Sequence, residues 1–299
     1  MTTCAAVQDE QDRGQTKMCG IGAFQIVDNE INAQQIARVL LRLLEVRGRD
    51  ASGVAWHSNG KTYIHKGAIA GSELAKQVGN DIGATGIVHT RYATQGSPKN
   101  SANNHPIDVG GIVGVHNGHI ANDDELIAEC IDYKRNGQVD SEAAFAILQH
   151  GDQAVPLVER LAKIKGGAAL LWINSHAKTE TLHAARLTNS PLWLGQTVAG
   201  SIVYASTDTI LRETAKRCGF VFDYIYDLSE GEYIRSRKGV LMDSKTIPMP
   251  KKATWLQEWQ RTNTYTYTKQ SAWEAEIQRG VQHTTKPMTT YGNRLDRMF

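Results

Sequence analysis

Apolar and polar positions along the chain follow two different rhythms, one typical of strands and the other of helices. The run GIGAFQIV at residues 20–27 is almost entirely apolar and predicts a buried strand. Residues 32–46 place apolar side chains at helical spacing and predict a helix. Two strand-like runs within residues 54–67 flank Asn59 and Gly60, a dipeptide that favours tight turns, so this stretch is predicted to be a hairpin.

The same two rhythms continue through the middle of the chain. Residues 86–93 and 111–118 predict strands that end in polar loops, and residues 123–133 and 141–150 predict helices. A series of short strands is expected within residues 167–207. Because strands are followed by helices and then by more strands, without strict alternation, the sequence predicts an α+β fold with antiparallel sheets and helices packed outside them.

Composition divides the chain into three zones. Residues 1–18 are polar and mixed in charge, and they are expected to be a disordered leader or a mis-assigned start. Residues 19–245 carry the predicted strands and helices and are expected to form one domain. Two prolines within residues 244–252 indicate a boundary, after which residues 246–299 form a basic, aromatic tail.

The tail combines an excess of basic residues with three tryptophans, Trp255, Trp259 and Trp273. Tryptophan and arginine are common interface anchors, so a docking segment for a partner protein is one interpretation. The alternatives are a tail that packs on its own domain or stays loose, and a segment that contacts single-stranded nucleic acid.

The overall composition of the 299 residues, with 41% hydrophobic and 21% charged residues, is that of an ordinary globular protein. The net charge of +2 gives no argument for binding to nucleic acid or to a membrane. Apolar runs such as residues 168–173 are too short to cross a membrane. The four cysteines are scattered, without a CxxC pair or metal-ligand spacing, so we expect reduced thiols in the cytoplasm.

The motif MCGIGAF at residues 18–24 contains the strongest candidate for a nucleophile. Removal of Met18 would leave Cys19 with a free α-amino group, which titrates near 7.7–8.0 in model peptides, beside a thiol that titrates near 8.5. One residue would then supply both a nucleophile and a base near neutral pH. On these residues alone, a small buried cysteine in a first strand is the favoured interpretation, because short motifs produce many false matches.

Four further segments place this motif in a known pattern. LLEVRGRDASG (43–53) resembles "LEYRGYDSAG", and GIVHTRYATQGSPKNSANNHP (86–106) resembles "GIAHTRWATHG" followed by "N-HP". VHNGHIANDDEL (115–126) resembles "VHNGIIENYEEL", and VDSE (139–142) resembles "TDTE". With MCGIGAF, these motifs resemble the class II glutamine amidotransferases, a branch of the N-terminal-nucleophile hydrolases. The pattern is most similar to the glutaminase domain of glucosamine-6-phosphate synthase.

The resemblance implies roles for five residues of a glutamine site. Cys19 would be the nucleophile, and the amide of Asn117 with the backbone N–H of Gly118 would form the oxyanion hole. Arg91 would bind the α-carboxylate of glutamine, and Asp140 its α-ammonium. Local alternatives remain open, since Asn-Gly favours a tight turn and Asp140 would also suit a helix N-cap.

The resemblance also implies supporting residues. Arg47 and Asp50 would support the site, whereas Tyr92, Thr94 and His105 would line the glutamine pocket. Tyr92 stands where the pattern has tryptophan.

A second departure is Gln95, which stands where the pattern has histidine. His116 and His119 are three residues apart, but no third ligand is evident, so neither a metal nor another cofactor is expected.

The implied fold is a four-layer αββα sandwich of two antiparallel sheets, and the implied activity is release of ammonia from L-glutamine. No motif of an ammonia-using domain is found, so a separate synthase subunit is expected as the partner. The alternatives are a stand-alone hydrolase of γ-glutamyl compounds and a catalytically silent glutamine-binding or scaffold module.

Overall fold

The computed structural model describes residues 18–175 and 180–249 of the chain. Residues 1–17 of the predicted leader and residues 250–299 of the predicted tail lie outside the described residues. The expectations for these two segments, and the domain boundary proposed near residue 245, therefore remain predictions.

The described residues form thirteen strands and six α-helices, joined mostly by short loops. The strands are β1 (Gly20–Gln25), β2 (Ala51–Ser58), β3 (Lys61–Gly67), β4 (Thr85–Arg91), β5 (Ile107–Asp108), β6 (Ile112–Ile120), β7 (Gly166–Asn174), β8 (Thr181–Arg186), β9 (Trp193–Gln196), β10 (Ile202–Ala205), β11 (Tyr224–Asp227), β12 (Glu232–Arg237) and β13 (Val240–Thr246). The helices are α1 (Ala33–Leu44), α2 (Gly71–Gln77), α3 (Asp123–Ala128), α4 (Ser141–His150), α5 (Leu157–Ala162) and α6 (Asp208–Cys218).

The strands pair into two antiparallel sheets. Sheet I has the order β11-β9-β10-β1-β4-β2-β3, and sheet II has the order β13-β12-β8-β7-β6-β5. Because side chains alternate between the faces of a strand, each central strand contributes one set of residues to the space between the sheets and another to the helices outside.

Three apolar clusters give the molecule its layers. The cluster between the sheets includes Ile21 and Ile87 from sheet I and Val115 and Leu171 from sheet II. Sheet I buries its outer face against α1, α2 and α6. Sheet II buries its outer face mainly against α4, whose Phe145 is at the centre of the cluster. The arrangement is a four-layer αββα sandwich.

Helix α1 packs closely on β1 and so fixes the start of that strand. Its N-cap is Asn32, whose side-chain oxygen accepts the backbone N–H of Gln35 at 3.1 Å. A Cβ atom at Gly22 would lie only 3.3 Å from the nearest side-chain atoms of Leu40 and Leu44. The glycine therefore permits the close approach of helix and strand.

The elements predicted from hydrophobic periodicity largely agree with the structure. The strand at 20–27, the helix at 32–46 and the strands within 167–207 are present, and Asn59 and Gly60 form the turn between β2 and β3 with φ of 52° and 73°. The helix predicted at 123–133 is wrong in length, because α3 ends at Ala128.

The polar loop expected at the end of the 111–118 strand is also wrong, because β6 continues to Ile120. The sequence analysis missed the short helices α2 and α5, the more polar helix α6 and the last three strands. Strand β13 offers little apolar pattern to detect, since most of it is exposed. Within the described residues, no helix is both long and apolar enough to cross a membrane.

Replacement of Phe145 by alanine tests the outer layer of sheet II. The ring is 0% exposed and fills the space over Gly114, where a Cβ atom would lie 2.2 Å from it. We expect Phe145→Ala to lower the free energy of unfolding by about 3–5 kcal/mol, measured by urea titration. The control Ile131→Ala removes a side chain that is 92% exposed and should change stability by no more than about 0.5 kcal/mol. Equal effects of the two substitutions would contradict this packing.

Candidate active site

The predicted site residues converge at one end of the sandwich because β1 and β4 pair in sheet I and a hydrogen bond joins β4 to β6 of sheet II. Strands β1 and β4 are antiparallel and Gly20 pairs with Thr90, so Cys19, just ahead of β1, lies beside Arg91 at the end of β4. Strand alternation assigns Cys19 and Arg91 to the same face as Ile21 and Ile87, which is the face between the sheets.

A hydrogen bond between the two sheets brings β6 to the same end. His89 Nε2 lies 3.1 Å from the carbonyl oxygen of His116, to which it donates. His89 is two residues from Arg91, and His116 precedes Asn117. The bond therefore holds the two strand ends that carry the predicted carboxylate-binding and oxyanion-hole residues.

The thiol of Cys19 is held by its neighbours and is protonated at neutral pH. Its Sγ atom donates to the carbonyl oxygen of Tyr92 at 3.6 Å, and Arg47 Nε donates to the carbonyl oxygen of Cys19 at 2.9 Å. Burial raises the pKa of the thiol to about 11, against opposing effects of the Tyr92 hydrogen bond and of the charge on Arg91. The negative charge of Asp140 raises this pKa further, whereas the charge on Arg47 lowers it.

Arg91 is 3% exposed and its guanidinium is held from one side by the segment that follows β4. It donates to Asn104 Oδ1 at 2.9 Å, to the carbonyl oxygen of Gly96 at 2.8 Å and to that of Gln95. Burial lowers the pKa of Arg91, whereas the nearby Cys19, Asp50 and Asp140 raise it. A buried guanidinium of this kind favours a negatively charged ligand.

Asp140 immediately precedes α4, but its carboxylate does not cap the helix. Instead, Oδ2 accepts the backbone N–H of Ile120 at 2.7 Å, and Oδ1 accepts the hydroxyl of Ser141 at 3.2 Å. His119 Nδ1 lies 3.5 Å from Oδ2. The carboxylate is therefore turned toward the end of β6, and the helix-cap alternative does not describe its contacts.

Asn117 and Gly118 lie inside β6, opposite Ala169 and Ala168 of β7, and not in a tight turn. Asn117 is 1% exposed, and neither its Oδ1 nor its Nδ2 has a hydrogen-bond partner among residues 18–175 and 180–249. A buried amide without partners costs free energy unless a ligand satisfies it. The Asn117 amide is thus available to a bound group.

Gly118 can be replaced by no other residue without strain. Its φ of 139° belongs to a region that favours glycine, and a Cβ atom would lie 1.9 Å from the carbonyl oxygen of Gly167. This backbone conformation sets the direction of the Gly118 N–H.

The remaining predicted residues surround this centre. Asp50 Oδ2 accepts the backbone N–H of Ala93 at 2.7 Å and so holds the segment after β4, on which Thr94 is exposed. His105 is 4% exposed and stacks on His89, with ring centroids 4.1 Å apart. Burial lowers the pKa of His105 well below its usual value, so this ring packs as a neutral group.

Sequence analysis missed three supporting residues. Asn104 holds Arg91, and it belongs to the NNHP motif that was matched without assigning this residue a role. Lys66 Nζ donates to the carbonyl oxygens of Asn104 at 2.7 Å and Pro106 at 2.9 Å. The buried carboxylate of Glu142 accepts the Tyr133 hydroxyl at 2.7 Å and two backbone N–H groups of the loop before Asp140.

A metal centre would need several donors in one place. Within residues 18–175 and 180–249, no three His, Cys, Asp or Glu side chains are grouped as metal ligands. His116 Nδ1 is 2.8 Å from the Ser141 hydroxyl, whereas His119 approaches Asp140. The two histidines therefore have different partners.

Comparison with known proteins identifies the domain. The glutamine amidotransferase domain family matches residues 89–213. The glutamine–fructose-6-phosphate aminotransferase of Streptococcus pyogenes serotype M3 (strain ATCC BAA-595 / MGAS315) is 32% identical over 210 residues, which make up 67% of this chain and 34% of that protein. The enzyme of the same name from Corynebacterium glutamicum is 30% identical over 233 residues, or 72% of this chain and 37% of that protein. The chain contains a class II glutamine amidotransferase domain.

This finding confirms the family and the enzyme class predicted from the motifs. The fold of the amidotransferase domain also agrees with the glutamine phosphoribosylpyrophosphate amidotransferase of B. subtilis complexed with ADP and GMP, with a TM-score of 0.62 at 20% identity. That alignment covers 78% of this chain and 50% of the other. It confirms the αββα sandwich predicted from the resemblance. The chain spans about a third of the length of the curated relatives it matches.

The raised pKa of Cys19 gives a direct chemical prediction for protein that retains Met18. The thiolate is the reactive form, so the rate of alkylation by iodoacetamide should rise about tenfold per pH unit between pH 7 and pH 10. Mass spectrometry of the peptide that contains Cys19 measures the rate, with free cysteine as the control. A thiol with the ordinary pKa near 8.5 would level off above about pH 9, and that result would contradict the burial described here.

Proposed function

We propose that the amidotransferase domain hydrolyses L-glutamine with Cys19 as the nucleophile. The sulfur attacks the carbonyl carbon of the side-chain amide, the C–N bond breaks, and the nitrogen leaves as ammonia with the proton of the thiol. Water then hydrolyses the γ-glutamyl thioester and restores the thiol. The observation that carries this proposal is the buried Asn117 amide, which has no hydrogen-bond partner in the described part of the chain and lies on the strand held beside Cys19 and Arg91.

The charges at the site fit the two ends of an amino acid. Arg91 would bind the α-carboxylate, because its guanidinium is buried and already oriented by Asn104. Asp140 would bind the α-ammonium with the carboxylate that faces the end of β6. Two such contacts would hold the side-chain amide over the sulfur and supply much of the positioning advantage of the reaction.

Asn117 and Gly118 would stabilise the oxyanion that develops when the sulfur attacks. The side-chain N–H of Asn117 and the backbone N–H of Gly118 are the proposed donors, and losing one such donor typically costs about 10²–10³-fold in rate. Arg47 and Asp50 would support the site by holding its backbone. Arg47 donates to the carbonyl oxygen of Cys19, and Asp50 holds the segment that carries Tyr92 and Thr94.

The chemistry needs a base, because a thiol with a pKa of about 11 carries almost no thiolate at neutral pH. The α-amino group of Cys19 would be that base once Met18 is removed, since α-amino groups titrate near 7.7–8.0. The reactive form in this proposal therefore begins at Cys19. A chain that retains Met18 would bind glutamine without turning it over.

We propose that a synthase on a separate subunit uses the released ammonia and transfers it to an acceptor. The S. pyogenes relative is a glutamine–fructose-6-phosphate aminotransferase, a name that pairs glutamine with an acceptor substrate. The three described cysteines, Cys19, Cys130 and Cys218, are free thiols, and this supports a cytoplasmic setting.

The first test compares three proteins: the chain that retains Met18, the chain that begins at Cys19, and Cys19→Ala in the second background. Ammonia release from glutamine should occur only in the protein whose intact mass shows Cys19 as its first residue. If Cys19→Ala releases ammonia as fast as its parent, Cys19 is not the nucleophile. If the chain that retains Met18 is fully active, the α-amino group of Cys19 is not the base.

A second test uses Asn117→Ala in the chain that begins at Cys19. We expect kcat to fall by about 10²–10³-fold, because one oxyanion donor is removed. The melting temperature should hardly change, since the Asn117 side chain makes no hydrogen bond to any residue that the structure describes. A loss of activity that is matched by loss of folding, measured by circular dichroism, would instead assign Asn117 a structural role.

A further inference from the structure

An exposed imidazole adjoins the carboxylate that is proposed to bind the α-ammonium of glutamine. His119 Nδ1 lies 3.5 Å from Asp140 Oδ2, and the histidine side chain is 79% exposed. No Lys or Arg among the described residues forms an ion pair with Asp140. Among the described residues, His119 is therefore the side chain that forms an ion pair with this carboxylate when it is protonated.

His119 occupies a position that the motif itself makes unusual. In VHNGHI it stands where the matched pattern "VHNGII" has isoleucine, a residue that cannot be charged. On β6 it is two residues after Asn117, so strand alternation assigns both side chains to the same face of sheet II. The exposed imidazole therefore lies further along β6, beyond the residues proposed to form the oxyanion hole.

Among the described residues, the ion-pair partner of the His119 ring is Asp140. Gly167, which pairs with it on β7, has no side chain, and Gly166 is next to it. At the start of α4, the neighbouring residues are the charged Asp140 and the neutral Ser141. On β6 itself the titratable neighbour is His116, whose pKa is lowered by burial and by the charge on His119.

The geometry creates competition for one oxygen atom. Asp140 Oδ2 already accepts the backbone N–H of Ile120 at 2.7 Å. A protonated His119 would add a second charge-assisted donor and neutralise the carboxylate that must attract the α-ammonium. A neutral imidazole carries no such charge and leaves the carboxylate to the substrate.

We propose that His119 is a specificity-determining residue that makes the affinity for the α-ammonium depend on pH. This inference rests on the proposed function of Asp140 and deepens it. Binding of glutamine is weaker when the imidazole is protonated and tighter when it is neutral. Exposed ion pairs have modest strength, so the expected change in affinity is about two- to fivefold.

Binding to Cys19→Ala, measured by calorimetry between pH 5.5 and pH 8.5, tests the inference without turnover. The probes are L-glutamine and glutaramate, which has the same amide and carboxylate but lacks the α-ammonium. For glutamine, Kd should fall about two- to fivefold across this range, and the change should disappear in Cys19→Ala combined with His119→Gln or His119→Ile. For glutaramate, Kd should be the same function of pH with or without His119.

Two results would overturn the inference: a pH dependence for glutamine that survives both substitutions at His119, or an equal effect of those substitutions on glutaramate. In the active enzyme, the substitutions at His119 should change the pH profile of KM and leave the pH profile of kcat unchanged. If His119 had only a structural role, both profiles would change. Failure of the proposed function has a different signature, namely ammonia release that does not depend on Cys19 or glutamine that does not bind Cys19→Ala at any pH.

Discussion

The antiparallel register of β1 with β4 is the constraint on which the site depends. It places the residue ahead of one strand beside the last residue of the other, so Cys19 and Arg91 become neighbours although 72 positions separate them in the chain. Helix α1 fixes the position of β1, and the bond from His89 to the carbonyl oxygen of His116 brings the second sheet to the same end. The site is therefore a product of strand pairing and sheet stacking more than of any one loop.

The sequence was sufficient for the fold class, the central strands and the family. Continuous apolar runs such as residues 20–27 and the stripe of α1 have a clear physical signature, because burial on one or both faces imposes their period. Edge strand β13 and the short helices α2 and α5 have no such signature, since tertiary contacts and not local preference decide them. The family followed from the order of the motifs, which periodicity alone does not provide.

At the site, too, the sequence motifs identify residues, but only the packed structure shows how their side chains are placed. The motifs named Asn117, Gly118 and Asp140, but their local alternatives were a turn and a helix cap. Only the ladder between β6 and β7 shows that the Asn-Gly pair lies inside a strand, and only the bond from Ile120 shows which way Asp140 faces. Asn104 lies in the same motif as Arg91, but only the structure shows that its Oδ1 accepts a hydrogen bond from the guanidinium. Lys66 lies outside that motif, and its partners are backbone carbonyl oxygens, which no side-chain pattern reveals.

The carboxylate of Glu142 has a consequence for how this domain can diverge. It holds the loop before Asp140 through the backbone N–H groups of Asn136 and Gly137, each at 2.6 Å. Main-chain groups are common to nearly every amino acid, so most side chains of that loop are free to vary during evolution while its course stays constant. Gly137 is one constrained position, because a Cβ atom there would lie 2.8 Å from the carbonyl oxygen of Ala102. Because the buried carboxylate of Glu142 fixes the backbone of this loop, exposed side chains of the loop can change without changing its shape. The loop surface can therefore adapt to new binding partners.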